Sequence, residues 1–214
     1  MTYRLHNFFR SSTSTRVRVA LNLKGLDYDY IPYVLRNGET WTPDYLGRNP
    51  QGLVPTLELE NGTSLTQSLA IIEWLDETHP EPPLLPADAM GRVRVRALAC
   101  MIACEIHPLN NLRVLLRLGD QFGADETAQK AWFTHWVTTT FDALEETLQN
   151  PETGRFCHGD TPGLADVCLY AQVWNNRRFD IELNTWPVIS RIFAELDALP
   201  AFSNAAPPKQ PDAT

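Results

Sequence analysis

The chain has few cysteines, four among 214 residues, and none of them forms a Cys-x-x-Cys pair. Four scattered cysteines are too few for a disulfide framework, and they supply no second pair of ligands for a zinc site. The sequence therefore predicts no bound metal. It predicts four buried free thiols, at Cys100, Cys104, Cys157 and Cys168.

Basic residues are outnumbered, with 18 Lys and Arg against 26 Asp and Glu and a formal net charge of -8. Binding to a phosphate backbone favours the opposite balance, so we expect no nucleic-acid partner. Apolar runs fall far short of the ~20 residues of a membrane span, and the first residues lack a secretory apolar segment. We therefore expect no membrane association and a cytoplasmic protein. Hydrophobic residues still make up 43% of the chain, enough for a core.

Proline is concentrated in one segment, residues 79–88, where four of ten positions are proline. Helices stop and strands cannot pair in such a segment, so it predicts a domain boundary. We expect a first domain over residues 1–80, a linker over 81–88 and a second domain over 89–214. The polar, proline-containing tail from Ala205 onward is expected to be loosely held.

Periodicity predicts a different architecture on each side of the linker. The first part has the order β-α-β-α-β-β-α. Its predicted segments are strands at 3–7 and 28–35, helices at 14–24 and 68–78, and a hairpin of 54–60 with 63–66. The turn at Asn61-Gly62 is of the favoured two-residue type. The second part predicts only helices, at 89–118, 125–148, 164–177 and 187–199. The fold class is therefore α+β, with a mixed domain followed by an all-α bundle.

Hydroxyl residues cluster where the first strand meets the first helix, at Ser11, Ser12 and Thr13. Unpaired N–H groups and the positive end of the helix dipole meet there and favour an anion. A thiol at this place would gain hydrogen bonds to its thiolate form, which would lower its pKa. The alternative is an ordinary Ser/Thr N-cap, which the local pattern by itself favours.

Two further places in the first domain suit a peptide-like ligand. A cis bond at Val54-Pro55 would turn the Val54 backbone outward to pair with an extended peptide, although a trans proline is more common at a strand start. At Gln67-Ser68 a helix begins, where Ser68 is either an N-cap or part of a carboxylate site. Three such places in one small domain favour a binding function.

Motifs spread over nearly the whole chain give it a family resemblance. They are Arg10-Ser11-Ser12-x-Ser14-x-Arg16-Val17-Arg18, Asn49-Pro50-x-x-Leu53-Val54-Pro55-Thr56, Gln67-Ser68-Leu69-Ala70, Leu84-Leu85-Pro86, His107-Pro108-Leu109-Asn110-Asn111, Gly159-Asp160, Ala165-Asp166 and Arg178-Phe179. With these motifs the sequence resembles the zeta-class glutathione transferases, which include maleylacetoacetate isomerase and the bacterial maleylpyruvate isomerases. The resemblance implies a thioredoxin-like first domain, glutathione as cofactor, a small dicarboxylate as substrate and a homodimer.

The resemblance also implies roles for individual residues. Around glutathione, Ser11, Ser12 and Thr13 would lie by the sulfur, Val54 would pair with the cysteinyl backbone, and Gln67 with Ser68 would hold the γ-glutamyl group. From the helical domain His107, Asn111 and Arg113 would approach the same cofactor. Arg10, beside the thiolate motif, and Arg178, which matches a family arginine, would bind the carboxylates of the substrate. For Arg113 and Arg177 a solvated surface position is an equal alternative.

Two departures from the family pattern bear on chemistry and stability. Thr13 stands where zeta members commonly have cysteine, so reactions that need an enzyme thiol, such as reductive dehalogenation, are disfavoured. Gly163 replaces the usual Ser or Thr before Ala165-Asp166, so the capping box around Asp166 should be weaker.

Three functions follow, in order of preference. The first is a glutathione-dependent cis–trans isomerase of maleylpyruvate or maleylacetoacetate in aromatic-compound degradation, with a slight tilt to maleylpyruvate. The second is a general transferase that conjugates electrophiles such as halogenated acids. The third is a non-enzymatic glutathione-binding module. Isomerisation needs a nucleophile that adds to the double bond and leaves again, which glutathione supplies.

Overall fold

A computed structural model describes residues 2–213, which form two compact units. The first unit contains the residues up to Leu84 together with those from Asp197 onward, and the second runs from Leu85 to Leu196. The first is mixed α/β and the second is helical. The predicted α+β class is therefore confirmed.

The first unit is built on a four-stranded sheet with the strand order β2-β1-β3-β4. Its elements are β1 (Tyr3–Asn7), α1 (Ser12–Leu23), β2 (Tyr28–Pro32), α2 (Pro43–Arg48), β3 (Thr56–Glu58), β4 (Ser64–Thr66) and α3 (Ser68–Thr78). This is the predicted order of strands and helices. β1 pairs with β2 in parallel and with β3 antiparallel, with Leu5 opposite Leu57. Both leucines are completely buried, so the centre of the sheet lies in the core.

The hairpin differs from its prediction in its turn. The Leu59 N–H donates to the Thr63 carbonyl over 2.8 Å, which leaves a three-residue loop, not a two-residue one. Gly62 occupies the left-handed region at φ 83°, and its N–H donates to the Leu59 carbonyl. A turn followed by a left-handed glycine is the usual three-residue hairpin loop. The extra loop residue removes Glu60 from the predicted strand, and β3 covers only Thr56–Glu58.

The C-terminal tail is packed, contrary to the expectation from its composition. Helix α10 (Pro200–Ser203) lies against α1, where the Asn22 side-chain amide donates to the Ala201 carbonyl over 2.9 Å. Ala205 is completely buried, and Asp212 accepts hydrogen bonds from the Tyr30 hydroxyl and from the Phe9 N–H. Buried polar contacts of this kind fix a segment that its prolines alone leave undefined.

The second unit contains only helices and turns among its described residues. They are α4 (Ala89–Glu105), α5 (His107–Asn110), α6 (Leu112–Phe122), α7 (Glu126–Thr147), α8 (Leu164–Asn176) and α9 (Pro187–Asp197). The predicted helix over 89–118 is wrong, because it is divided into three. Pro108 has no N–H and its ring would clash with the preceding turn, so α4 ends first. Within residues 2–213, no helix is at once long and apolar enough to cross a membrane.

Cys100 and Cys104 are exposed, so the prediction of four buried thiols holds only for Cys157 and Cys168. Helix α4 buries a face at 95, 98, 99 and 102, and positions 100 and 104 fall outside that face. Burial raises the pKa of the Cys157 thiol, which keeps it protonated and unreactive.

Asp166 is buried near the start of α8, where it accepts from the Gly163 and Cys157 N–H groups over 2.8 and 2.9 Å. Gly163 has no side chain to return the contact. Half of a capping box is therefore present.

Candidate functional site

The hydroxyl cluster at the start of α1 is ordered by hydrogen bonds. Ser11 is the N-cap, and its Oγ accepts from the Ser14 N–H over 3.2 Å. The ordinary N-cap, which is the alternative interpretation of these hydroxyl residues, is thus present. The Ser11 and Thr13 hydroxyls also lie 2.8 Å apart, both half-buried, whereas Ser12 is buried. The cap and the cluster therefore share the same serine.

Thr13 joins this cluster to the loop before β3. Its hydroxyl donates to the Val54 carbonyl over 3.0 Å. A hydroxyl has one proton, so Thr13 Oγ1 must accept the hydrogen bond that it shares with Ser11. The order of donation is therefore Ser11 to Thr13 to Val54. The residue that replaces the family cysteine thus ties two predicted parts of the site together.

The Val54-Pro55 bond is cis, the less common of the two conformations of an X-Pro bond. The Val54 carbonyl faces Thr13, and its N–H has no hydrogen-bond partner among residues 2–213. A backbone donor in a largely buried residue calls for a partner. This is the kind of group that an extended peptide would pair with, as the sequence predicts.

Two residues that the sequence analysis did not single out fix this loop. The Tyr45 hydroxyl and the Asn49 amide both donate to the Leu53 carbonyl, over 2.6 and 2.7 Å. Burial raises the pKa of Tyr45 to about 12, so it remains a donor at neutral pH. Asn49 belongs to the Asn-Pro motif, whereas Tyr45 lies on α2, four residues before that motif and outside it.

Gln67 and Ser68 lie at the start of α3, but Ser68 is not its N-cap. The cap position is Gln67, and no side chain caps the helix. Gln67 has φ 69°, a left-handed conformation that costs a non-glycine residue about 1–3 kcal/mol and is concentrated at binding sites. Its side-chain amide donates to Gln51 over 2.7 Å, a contact that the sequence did not predict.

The Ser68 hydroxyl faces a buried cation instead of the helix backbone. Arg16 Nη1 on α1 donates to Ser68 Oγ over 3.4 Å. The prediction of Ser68 as an N-cap is therefore wrong. The same hydroxyl remains available for the other predicted role, a carboxylate site, because it is not consumed by the helix.

Arg10 is exposed, with its guanidinium 5.0 Å from the ring centroid of Phe9 and 5.8 Å from that of Phe8. Cation–π contacts at such distances restrict the side chain weakly. Arg10 thus directly precedes the hydroxyl cluster and keeps a solvent-facing guanidinium.

The second unit holds the remaining predicted residues. Arg178 is exposed, donates to Asn175 Oδ1 over 3.1 Å and lies 5.4 Å from the ring centroid of Phe179. Arg177 is exposed as well and stacks on Trp174 at 4.2 Å. The carboxylate-binding role predicted for Arg178 stays a prediction, and no role was predicted for Arg177, whose guanidinium lies over a tryptophan ring.

The break between α4 and α6 positions the other three. His107 begins α5 and is half-buried, and Arg113 is exposed on the first turn of α6. Asn111 is the N-cap of α6, where its Oδ1 accepts from the Val114 N–H over 3.2 Å. Asn111 therefore has a structural role in addition to the predicted cofactor contact, which stays a prediction for all three.

Comparison with known proteins points to one family. Residues 10–78 match the family model described as glutathione S-transferase, N-terminal domain. A maleylpyruvate isomerase of a Ralstonia species is 50% identical over 98% of this chain and 99% of that protein. A solved holo structure described as maleyl pyruvate isomerase, a bacterial zeta-class glutathione S-transferase, matches with a TM-score of 0.96 at 49% identity, over 99% of this chain and 100% of that one. The chain belongs to the zeta-class glutathione S-transferase family.

Membership of this family confirms the predicted architecture, a thioredoxin-like first domain followed by a helical domain. Another solved structure, the maleylacetoacetate isomerase of Methylobacterium extorquens AM1 with bound malonate and GSH, has a TM-score of 0.95. It is 39% identical and covers 99% of each chain. The likeness therefore extends over the complete fold.

Proposed function

We propose that this chain catalyses the glutathione-dependent cis–trans isomerisation of a maleyl diacid, either maleylpyruvate or maleylacetoacetate. Relatives with both names match nearly its full length, and one of them was solved with GSH and a dicarboxylate. The observation in the structure that carries the proposal is a set of groups in the first unit with unused donor capacity: the Val54 N–H, the proton of the Ser68 hydroxyl and the buried Arg16.

These groups fit glutathione as a peptide with a carboxylate at one end. The Val54 N–H suits the cysteinyl carbonyl, since it is a backbone donor without a partner. Ser68 and the first N–H groups of α3 suit the γ-glutamyl carboxylate, with Gln67 beside them. The hydroxyl cluster at the N-terminus of α1 suits a thiolate, which gains stability from nearby donors and from the helix dipole.

When bound, glutathione supplies the nucleophile that adds to the double bond of the diacid and leaves after rotation about it. The chain itself has to bind two carboxylates and to stabilise the negative charge that develops on the substrate. Arginine is the residue best suited to both tasks, because its planar guanidinium pairs with carboxylates through two hydrogen bonds. We assign these contacts to Arg10 and Arg178.

The substrate test compares both maleyl acids with a neutral electrophile, each in the presence of glutathione. We expect fumaryl product from at least one maleyl acid. The Arg178→Ala variant should lose 100-fold or more in kcat/KM for the diacid, about 3 kcal/mol of transition-state stabilisation, and less than 3-fold for the neutral electrophile.

The control is Arg177→Ala. It removes the same charge from the neighbouring residue, whose guanidinium is stacked on Trp174. It should change neither rate by more than about 3-fold, on the scale of a surface charge. Conjugation without any fumaryl product would identify a general transferase. Glutathione binding without turnover of any substrate would identify a binding module.

We further propose that the chain forms the homodimer expected of its family. Met90 and Val93 on α4 are exposed, at 73% and 54%. Exposed apolar side chains on one helix favour an interface between subunits. Light scattering of the wild type should give twice the mass of 24.2 kDa, and Val93→Lys should weaken this association.

A further inference from the structure

Arg16 is a buried cation without an anion. Its side chain lies on α1 and is 1% exposed. Its one hydrogen bond is the 3.4 Å contact from Nη1 to Ser68 Oγ, and neither Nε nor Nη2 has a partner. Among residues 2–213, no carboxylate lies within ion-pairing distance of it.

An arrangement of this kind is unfavourable for the fold considered by itself. A buried charge loses its hydration, and it is normally compensated by a carboxylate or by several acceptors. Arg16 has five N–H donors and uses one of them. An anion that arrives with a ligand would supply the missing compensation.

The contact with Ser68 fixes the direction of the serine hydroxyl. A guanidinium can only donate, so Ser68 Oγ accepts from Arg16 and its own proton must point elsewhere. Ser68 is the first residue of α3, an 11-residue helix whose first N–H groups have no partners within the helix. The hydroxyl proton and these N–H groups therefore form one set of donors, with a positive charge directly behind it.

We infer that Arg16 is a positioning residue for the α-carboxylate of the γ-glutamyl group of glutathione. It holds the Ser68 hydroxyl as a donor, and its charge strengthens the attraction of the α3 N-terminus for that carboxylate. The inference rests on the glutathione site of the proposed function. It adds a residue that would not touch glutathione and that determines how tightly one end of it binds.

The test uses calorimetric binding of two ligands, glutathione and 4-aminobutyryl-cysteinyl-glycine, which lacks only the α-carboxylate of the γ-glutamyl group. In the Arg16→Gln variant the Kd for glutathione should rise at least 10-fold. The Kd for the analogue should change less than 2-fold. In turnover, KM for glutathione should rise while kcat at saturating glutathione stays within 2-fold, because the sulfur end of the site is unaltered.

Two further variants separate this role from general effects. Arg4→Gln removes the same charge from an exposed position of the same unit and should leave both affinities unchanged. Arg16→Lys keeps the charge and should recover part of the affinity for glutathione. In a Ser68→Ala background, Arg16→Gln should cause a smaller further loss than in the wild type, because the part of its effect that passes through the Ser68 hydroxyl is already gone and only the effect of its charge remains.

Equal weakening of both ligands would overturn the inference, because it would show a packing role. Unchanged affinity for glutathione would overturn it as well. The inference would also be overturned if none of the variants Arg16→Gln, Arg16→Lys and Arg16→Met folded, because Arg16 would then be required by the fold. If the wild type binds glutathione as described but converts no maleyl acid, the proposed reaction fails and the role of Arg16 stands.

Discussion

Two arginines on the same helix, Arg16 and Arg18, are both buried, but they differ in how many of their N–H donors have hydrogen-bond acceptors. Arg18 is completely buried and directs all three of its nitrogen atoms to acceptors. These are the Ala205 carbonyl at 3.1 Å, Asn7 Oδ1 at 2.9 Å, the Phe8 carbonyl at 3.5 Å, the Phe9 carbonyl at 2.9 Å and Thr15 Oγ1 at 2.8 Å. Arg16 has one long contact and two nitrogen atoms without partners.

The difference separates a residue that serves the fold from one that serves a ligand. The acceptors of Arg18 come from β1, from the loop that leads to Ser11 and from the C-terminal tail, so it joins three segments of the first unit. Burial lowers the pKa of Arg18, and its acceptors compensate for the lost hydration. Arg16 joins only α1 to α3, and its compensation is missing until an anion binds.

Loss of Arg18 should have the largest effect on stability. Arg18→Met leaves several buried acceptors without donors, so the free energy of unfolding should fall by about 3–5 kcal/mol. Urea unfolding followed by circular dichroism measures this loss. A loss below about 1 kcal/mol would show that Arg18 is no more structural than Arg16.

The neighbour of this network, Tyr30, should give a pH-dependent effect. Burial and the hydrogen bond to Asp212 raise the pKa of Tyr30 above its ordinary value. In the unfolded chain Tyr30 loses its proton near pH 10, whereas in the folded chain it keeps it, so the folded state binds more protons above that pH. Stability that is present below pH 10 is therefore lost as the pH rises.

The slope due to Tyr30 alone is at most about 1.4 kcal/mol per pH unit. The Tyr30→Phe variant should lack it, so its free energy of unfolding should fall less steeply above pH 10 than that of the wild type. Parallel curves for the two proteins would contradict the raised pKa.

Asp212 should contribute less than Arg18 to the free energy of unfolding, although both attach the C-terminal tail to the first unit. Asp212→Asn keeps one acceptor oxygen but turns the other into a donor, which faces either the Tyr30 hydroxyl or the Phe9 N–H. We expect a loss of about 1 kcal/mol in the free energy of unfolding. Glutathione affinity should be unaffected within 2-fold. A large loss of glutathione affinity with unchanged stability would show that the tail contributes to ligand binding and not to the stability of the fold.

Arg16→Met should have the smallest effect on stability. Replacement of an uncompensated buried charge by an apolar side chain is often neutral or stabilising, so the change should stay within about 1 kcal/mol. Thermal unfolding in the absence of glutathione measures it. A loss as large as that of Arg18→Met would remove the distinction between the two arginines.

Motifs and periodicity predicted the family and the order of elements in the first unit. They located helix α3 at Ser68–Thr78 to the residue, because an apolar period and a polar start coincide there. They failed where tertiary contacts decide. The tail looked mobile from its prolines, but Asp212 and Ala205 are fixed by partners about 200 residues earlier in the chain.

The same limit applies to the site. The sequence could not show that Thr13 donates to Val54, or that Ser68 is free of the helix cap, because both depend on residues distant in sequence. Arg16 lies within the serine-arginine motif, but its lack of an anionic partner is visible only in three dimensions. A sequence motif does not show which polar groups already have hydrogen-bond partners in the folded protein.

In the proposed reaction, glutathione adds to the substrate and is returned unchanged. The direct measurement is complete conversion of a maleyl acid by the wild type, with glutathione at a hundredth of the substrate concentration and free thiol measured before and after. We expect full conversion to the fumaryl isomer with an unchanged amount of free thiol, and no enzymatic conversion without glutathione. Consumption of one thiol for each molecule converted, or equal rates without glutathione, would contradict it.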